Sequence, residues 1–283
     1  MQEPELDVPE NKALHYVGVA FVSVLLAVLV LKGLDLMATR GGSRAVRPPK
    51  LPDQFVLRPE FETAAGKNRG GAGFAVRVEG DARRLVLTAL HLVENTAGGP
   101  PAGVKKVYFR DAFGSEGGVP IGTATAFLEI PSAATHGKPS EAGDVIGIWA
   151  AEDCFFPTVP LATQNPAPGE SIWLVCPILK GAPEKLRLHH AKVDSVTDGD
   201  LVYWFDNSNL DVTDTNGAPL VNSAGEVVGI HLNGALENGK MSGFGNPVER
   251  FREPLKQAAK ATPDKAAIKD EPIKRPKAPS APK

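Results

Sequence analysis

Three short segments of the chain place a polar residue beside an apolar run, an arrangement that suits acid–base or nucleophilic chemistry. The segments are LTALHLV (residues 87–93), GDVIGIW (143–149) and DVTDTNGAPLVNSAGEVVGIH (211–231). They contain His91, Asp144 and Asn216. A histidine exchanges protons near neutral pH, and a carboxylate can orient it. Asn216 differs, because a carboxamide nitrogen has a delocalised lone pair and no ionisable hydroxyl. Asn216-Gly217 is also typical of a tight turn.

Short β-strands must position these residues. The 29 glycines, 25 prolines and 6% aromatic residues predict many turns. Strand patterns occur in GAGFAVRVEGDARRLVLTALHLV, with a turn at 79–81, and at residues 85–88, 106–109, 124–130, 145–149, 171–176, 186–196, 202–205, 219–221 and 227–232. This spacing is too close for crossover helices, so we expect an all-β sandwich or barrel. The segment NPVERFREPLKQAAK predicts a helix from Asn246 that closes the domain.

The N-terminal region contains an uncharged apolar run at residues 13–31, ALHYVGVAFVSVLLAVLVL. Nineteen such residues are enough to cross a hydrocarbon core of about 30 Å as a helix. A buried soluble helix is the alternative, but the run is apolar on every face. A cleaved signal peptide fits poorly, since the preceding residues are mostly acidic. We therefore expect a tail at 1–12 and a single uncleaved transmembrane helix at 13–32.

The charges around this run predict its orientation. One lysine precedes it, whereas five basic residues follow it closely, so the positive-inside rule places the folded domain in the cytoplasm. A periplasmic or extracellular domain is the alternative. We expect a flexible linker at 33–50, a folded domain at 51–262 and a disordered Lys/Pro-rich tail at 263–283. The nearly balanced charge, 31 basic against 33 acidic residues, argues against a nucleic-acid partner.

The three segments, in this order, resemble those around the general base, the orienting aspartate and the nucleophile of trypsin-like serine proteases. LTALHLV resembles the family's TAAH segment, and 211–231 resembles G-[DT]-S-G-[GA]-P followed by a strand, a turn and VVGI. GFGNPVERF, at 243–251, is similar to the last strand and terminal helix of short bacterial members. The resemblance covers most of residues 70–255 and implies a double β-barrel with a C-terminal helix.

The resemblance implies a role for each polar residue. His91 matches the general base, and Asp144 matches the carboxylate that orients it. Counting back three residues from Pro219 places Asn216 at the nucleophile position, where the family has serine. Glu141 and Asp153 are nearby acids that keep the assignment of Asp144 open.

The implied oxyanion hole also departs from the family pattern. It would be formed by the backbone N–H groups of Asp214 and Asn216, and the family usually has glycine at the first position. A side chain at Asp214 is expected to resist the required backbone conformation, and its charge would repel a developing oxyanion. Thr213 and Thr215 carry hydroxyl groups, but either would need a shifted turn to replace the serine.

The resemblance places the substrate-binding residues as well. His231, Leu232, Asn233 and Gly234 would lie along the edge that pairs with a substrate backbone. Leu210 would lie near the base of the primary pocket. None of these supplies a charge, so an apolar or small side chain is the expected ligand.

These features predict a membrane-anchored serine protease homologue that has lost catalysis and binds peptides or proteins through its old cleft. An active serine endopeptidase with an unusual or mutated nucleophile site is the first alternative. A structural membrane-anchored domain without a cleft ligand is the second. The lipid bilayer is the other expected partner, through residues 13–32.

No cofactor is expected, and no metal. The pair His189-His190 could suggest a metal site with a cysteine, but adjacent strand residues point to opposite faces. Cys154 and Cys176 leave two possibilities open, a disulfide or two free thiols.

Overall fold

The computed structural model describes residues 46–78, 81–97, 103–115, 118–138, 140–197 and 199–262. The predicted tail at 1–12, the span at 13–32 and the segment at 263–283 lie outside these residues, as do most of the linker at 33–50 and residues 79–80 of the predicted turn. Within the described part of the chain, no helix combines the length and the apolar character needed to cross a bilayer.

Seven antiparallel strands form the first sheet. They are β1 (Val56–Thr63), β2 (Gly66–Arg69), β3 (Gly73–Arg77), β4 (Arg84–Thr88), β5 (Val104–Asp111), β6 (Gly122–Leu128) and β7 (Ile146–Ala150). Their order is β2-β1-β3-β4-β7-β6-β5, and β1 also pairs with β5, so the sheet closes on itself. Closure leaves few unpaired backbone groups at the sheet edges.

Six antiparallel strands form a second closed barrel. They are β8 (Ser171–Val175), β9 (Leu188–Val196), β10 (Leu201–Phe205), β11 (Pro219–Val221), β12 (Val227–Glu237) and β13 (Lys240–Pro247). The closed order is β10-β13-β12-β11-β8-β9. The predicted all-β fold is therefore confirmed.

Side-chain alternation divides the buried residues of β3 and β4 between two cores. Phe74 and Leu87 belong to the larger cluster, which also includes the interior of the second barrel. Ala75 and Val86, one residue away on each strand, belong to the cluster inside the first barrel. Successive side chains of a strand point to opposite faces, so these two strands contribute to both cores. The larger cluster thus joins the barrels into one packed body.

β1 and β2 have no predicted counterpart, and their sequences explain why. Pro59 lies in the middle of β1, where proline usually argues against a strand. β2 is GKNR, with every residue exposed, so it has no apolar alternation. β1 pairs with β3 and β5, and β2 pairs with β1, through contacts that local sequence does not encode.

Two helices accompany the barrels. α1 (Leu90–Ala97) follows β4 and was not expected from the strand pattern. α2 (Val248–Ala261) buries Phe251, Leu255 and Ala258 at helical spacing. It begins two residues later than the sequence predicts, because Asn246 and Pro247 end β13 and pair with β12.

The two cysteines are free thiols, both buried. Cys154 lies in the core of the first barrel and Cys176 in the larger cluster. Burial raises the pKa of each thiol, so both are protonated and unreactive at neutral pH.

Candidate active site

The first turn of α1 and two loops bring His91, Asp144 and Asn216 together at the junction of the two barrels. His91 is the second residue of α1, directly after β4, and Asp144 lies two residues before β7. β4 and β7 are paired neighbours, with Thr88 opposite Ile146, so the two loops leave the first barrel side by side. Asn216 comes from the second barrel, three residues before β11.

Asp144 is held in place by His91 and by two backbone amides. Its Oδ2 lies 2.7 Å from His91 Nδ1, while its Oδ1 accepts the backbone N–H of His91 at 3.0 Å. The backbone N–H of His136 donates to Oδ2 at 2.9 Å. Asp144 is only 2% exposed, and burial raises its pKa, but these hydrogen bonds and the attraction of His91 outweigh burial and lower the pKa overall. The carboxylate is therefore ionised at neutral pH.

The carboxylate determines which nitrogen of His91 can accept a proton. Because Oδ2 of Asp144 can only accept, His91 Nδ1 donates, and Nε2 of the neutral ring keeps a free lone pair. This nitrogen faces Asn216, whose Nδ2 lies 3.2 Å away. The Asn216 amide donates this hydrogen bond through Nδ2, since its oxygen has no proton to give. Asn216 Oδ1 is buried and has no hydrogen-bond partner among the described residues.

The turn that carries Asn216 is locked between the barrels. The carbonyl oxygen of Asn216 accepts the N–H of Ala72 at 2.7 Å, and Gly217 N–H donates to the carbonyl of His231 at 2.7 Å. Gly217 has a φ of +83°, and a Cβ there would lie 2.2 Å from the Ala72 carbonyl oxygen. Only glycine fits this position, so the turn presents Asn216 in a defined place.

The hydroxyl groups of the neighbouring threonines are engaged elsewhere. Thr215 is buried, and its Oγ1 donates to the carbonyl of Val212 at 2.7 Å. Thr213 Oγ1 donates to Asp211 Oδ1 at 2.6 Å. Neither hydroxyl bonds to His91, so neither takes the place of a serine in this arrangement.

Asp214 is exposed and lies next to two free backbone donors. The N–H groups of Asp214 and Asn216 have no acceptor within the described part of the chain. Asp214 does not have a positive φ, the backbone region that glycine at this position would make accessible. The expected resistance of its side chain to the oxyanion-hole conformation stays a prediction. The carboxylate charge beside the two donors remains.

The residues predicted to bind substrate lie along β12 and beneath it. Leu210 is buried, as is Leu232. Asn233 is exposed and Gly234 is half-buried, and the Gly234 N–H donates to the Asn233 side chain at 2.8 Å. Residues 231–237 pair with β13 on one side. On the other side the backbone N–H and carbonyl of His231 are bonded to Ala218 and Gly217, so the edge without a described partner starts at Leu232. This leaves a strand edge that a peptide could extend.

His231 has an environment that the sequence did not reveal. It is 0% exposed, and its Nδ1 is hydrogen-bonded to the hydroxyl of Tyr203, a buried residue of β10. Burial, together with the nearby His91, lowers the pKa of His231 to about 3. His231 is therefore neutral at physiological pH, and its Nε2 has no partner among the described residues. The alternation in LVYWF could have indicated that Tyr203 faces inward, but not which residue it meets.

His189 and His190 are used structurally. His189 Nε2 lies 2.9 Å from the carbonyl of Cys176, and His190 Nδ1 lies 2.5 Å from Asp206 Oδ2. No group of three or more His, Cys, Asp or Glu side chains with metal-binding geometry occurs in residues 46–262 outside the undescribed gaps.

No protein-family model and no curated protein matches the sequence. Solved structures do match. The thermostable serine protease AL20 from an extremophilic microorganism is 16% identical, with 74% of this chain and 99% of that chain covered and a TM-score of 0.52. The active form of the Rv3671c protease from M. tuberculosis is 16% identical, covering 76% and 85%, with a TM-score of 0.49. The serine endoprotease from Yersinia pestis is 15% identical, covering 75% and 69%, with a TM-score of 0.48.

Of these three structures, AL20 alone exceeds a TM-score of 0.5, and at this identity the similarity establishes the fold and nothing further. It agrees with the two closed barrels and the helix that ends the described chain. The chain therefore has the double β-barrel fold of trypsin-like serine proteases, completed by a C-terminal helix.

Proposed function

We propose that this chain is a catalytically silent homologue of trypsin-like serine proteases that binds peptides or proteins through the cleft between its barrels. One observation carries the proposal: the atom that faces His91 Nε2 is the amide nitrogen of Asn216, at 3.2 Å. A serine hydroxyl in that place would give its proton to the imidazole and attack an acyl carbon. A carboxamide forms the hydrogen bond but supplies no alkoxide, so no acyl-enzyme follows.

Asp214 adds a second obstacle to catalysis. The free N–H groups of Asp214 and Asn216 would have to stabilise an oxyanion, and a carboxylate on Asp214 repels that charge. The loss of one oxyanion donor typically costs about 100- to 1000-fold in rate. Restoring a serine alone is therefore expected to restore only part of the activity.

The same contacts support a binding role. The His91–Asp144 pair, the locked turn at Asn216 and the open edge of β12 form a cleft that needs no nucleophile to hold a peptide. Binding by strand addition uses main-chain hydrogen bonds, and side-chain pockets then provide specificity.

Labelling with a fluorophosphonate probe tests the loss of catalysis in the full-length chain. The unchanged protein should not be labelled, whereas Asn216→Ser should be labelled at residue 216 through the base His91. Thr213→Ser is the matched control, because it places a primary hydroxyl three residues away without the His91 contact. Adding His91→Ala to Asn216→Ser should abolish labelling. Labelling of the unchanged protein would overturn the silent assignment.

The main alternative is an active serine-type endopeptidase with an unusual site, and the oriented His91–Asp144 pair is the observation in its favour. It predicts labelling of the unchanged chain at a residue other than 216, identified by peptide mass mapping. The other alternative, a structural domain without a cleft ligand, predicts that the cleft captures nothing.

Capture of peptides from a random library separates binding from a structural role. Asn233→Trp, on the exposed edge of β12, should block capture. Glu237→Trp, an exposed position farther along the same strand, should not. Capture that is insensitive to Asn233→Trp would place the binding site elsewhere.

We also propose that residues 13–32 anchor the protein in a membrane with its folded domain in the cytoplasm, on the hydropathy and charge arguments above. Both native thiols are buried, so an introduced cysteine reports on topology without background. Val119→Cys is suitable because Val119 is 75% exposed. A membrane-impermeant maleimide should react with it only after cells are permeabilised. Reaction in intact cells would reverse the orientation.

A further inference from the structure

A groove lies beside the turn that carries Asn216. Its first part is a cavity of about 380 Å³, lined among others by Gly71, Asp214 and Thr215. A Cβ on Gly71 would lie 2.3 Å from the Asn216 carbonyl oxygen, so this cavity begins at the turn itself. A second cavity, of about 590 Å³, shares Arg58, Pro177 and Leu179 with the first. Together they extend the cleft past Arg58.

Arg58 is the cation that both cavities share, and it makes no hydrogen bond or ion pair with the described residues. It is half-buried in β1, directly opposite Arg110 in β5. Like charges at opposed positions of a sheet destabilise the pair unless a counter-charge is present. Arg110 has one, because its Nε lies 3.1 Å from Glu60 Oε2. Arg58 makes neither a hydrogen bond nor an ion pair within the described part of the chain.

The nearest buried carboxylate is already shared. Glu60, two residues along the same face of β1, accepts Arg69 at 2.7 Å and Arg110 at 3.1 Å, and Lys67 Nζ lies 3.8 Å away. Glu60 thus pairs with three other cations and makes no ion pair with Arg58. Its positive charge is therefore directed to whatever occupies the groove.

The other groups of the groove define the ligand. Leu179 is 76% exposed and lines both cavities together with Arg58, so it offers an apolar contact. Lys180 is near Asp211, at 3.7 Å, and Arg187 bonds to Asp53 at 2.5 Å. Carboxylates line both cavities, Asp211 and Asp214 the first and Glu184 the second, so an acidic ligand is repelled at these positions and attracted at Arg58.

We propose that Arg58 and Leu179 form a second anchoring site that binds an Asp or Glu side chain, flanked by an apolar residue, in the peptide or protein partner. This inference rests on the proposed binding function and names the chemistry of its ligand. A guanidinium binds a carboxylate through two parallel hydrogen bonds, and partial burial makes such a pair stronger than a solvent-exposed one. The chain's own 263–283 segment is not the occupant, since its six Lys/Arg against three Asp/Glu would be repelled.

The test uses the full-length chain and a random peptide library displayed on phage. The unchanged protein should enrich peptides with Asp or Glu at one fixed position beside an apolar residue. The best enriched peptide is then synthesised in two forms, with its acid and with the matching amide, and binding is measured by fluorescence anisotropy. Arg58→Met should weaken the acidic form by about 10- to 100-fold and leave the amide form unchanged.

Two variants keep this result interpretable. Arg58→Lys retains the charge but not the two-bond geometry and should lose less affinity than Arg58→Met. Arg77→Met removes a cation outside the groove and should have no effect. Enrichment without an acidic position, or equal loss of both peptide forms in Arg58→Met, would overturn the Arg58 inference alone. No enrichment by the unchanged protein would overturn the binding function, and this inference with it.

Discussion

At the scale of single residues, Asn216 keeps the hydrogen bond of the site to His91 but cannot act as a nucleophile. Asn216 satisfies His91 Nε2 as a hydroxyl would, so the hydrogen-bond network stays complete from Asp144 to the second barrel. The proton that it shares cannot leave to generate a nucleophile at neutral pH. A site can thus retain its geometry while it loses its reaction.

The charge on Asp214 should be measurable once a serine is present. In an Asn216→Ser background, adding Asp214→Gly should accelerate fluorophosphonate labelling by about tenfold or more, because a repulsive charge leaves the oxyanion site. The gain should shrink at high salt, since Asp214 is exposed. Asp214→Asn is the control that removes charge but keeps a side chain. Equal rates for Asp214 and both replacements would show that the carboxylate faces away from the oxyanion.

Burial of neutral His231 should appear in the pH dependence of stability. Its folded pKa of about 3 lies below the unfolded value of about 6.5, so the unfolded state binds more protons between these values. The contribution of His231 to the free energy of unfolding is therefore fully present above about pH 6.5. It is lost as the pH drops towards 3, by up to about 1.4 kcal/mol per pH unit.

Urea unfolding of His231→Phe and the unchanged protein between pH 6.5 and 5 checks this slope. The pKa of Asp144 is lowered, so this group titrates below the window. The variant should show the shallower dependence on pH. Parallel curves would mean that His231 is solvated when folded.

At the scale of elements, the β4–α1 connection and the turn before β11 bring the site residues of the two barrels together. The contacts Ala72 N–H to Asn216 carbonyl and Gly217 N–H to His231 carbonyl hold that turn from both sides. Thr88 Oγ1, at the end of β4, also donates to Ala72 O at 2.6 Å. The site is therefore as rigid as the strands that flank it.

Two glycines with nearly the same φ test whether this turn has room for a side chain. Gly217 has a φ of +83° and no room for a Cβ, whereas Gly169 has a φ of +81° and nothing within 4 Å. Gly169→Ala should cost about 1 kcal/mol of unfolding free energy from the left-handed backbone alone. Gly217→Ala should cost at least about 2 kcal/mol more, because it collides with the Ala72 carbonyl. Equal losses in urea unfolding would show that the turn yields easily.

At the scale of the whole folded part, the larger core cluster links the barrels. Phe74 and Leu87 of the first barrel pack in the same cluster as Ile172 and Ile230 of the second. Each buried side chain of this kind contributes about 1.5–3 kcal/mol, so separating the barrels would expose many such contributions. The two barrels are expected to unfold together.

Single-tryptophan variants test this coupling. Trp149 reports on the first barrel and Trp173 on the second, and their fluorescence transitions in urea should coincide. Phe74→Ala should lower both transitions together, at a cost of about 3–5 kcal/mol. Phe109→Ala, confined to the core of the first barrel, is the comparison. Two separate midpoints would show that the barrels are independent.

The sequence by itself determined the local features. Apolar runs bounded by glycine and proline indicated most strands, and the spacing of Phe251 and Leu255 indicated the buried face of the last helix. The order of His91, Asp144 and Asn216 indicated one site and the missing hydroxyl. These features are legible because periodicity and residue chemistry act over a few neighbouring residues. The membrane span at 13–32 stays a prediction on the same kind of signal.

Tertiary structure alone decided the rest. The closure of β1 on β5, the Tyr203–His231 contact and the groove at Arg58 all join residues that are far apart in sequence. The tertiary structure also keeps the two cysteines apart, as free thiols in different core clusters. β1 contains a proline and charged residues, so no local pattern predicts it. Its Glu60 can be buried because arginines of β2 and β5 form ion pairs with it. Long-range packing selects the partner of each group, and one strand's sequence does not specify what the fold brings against it.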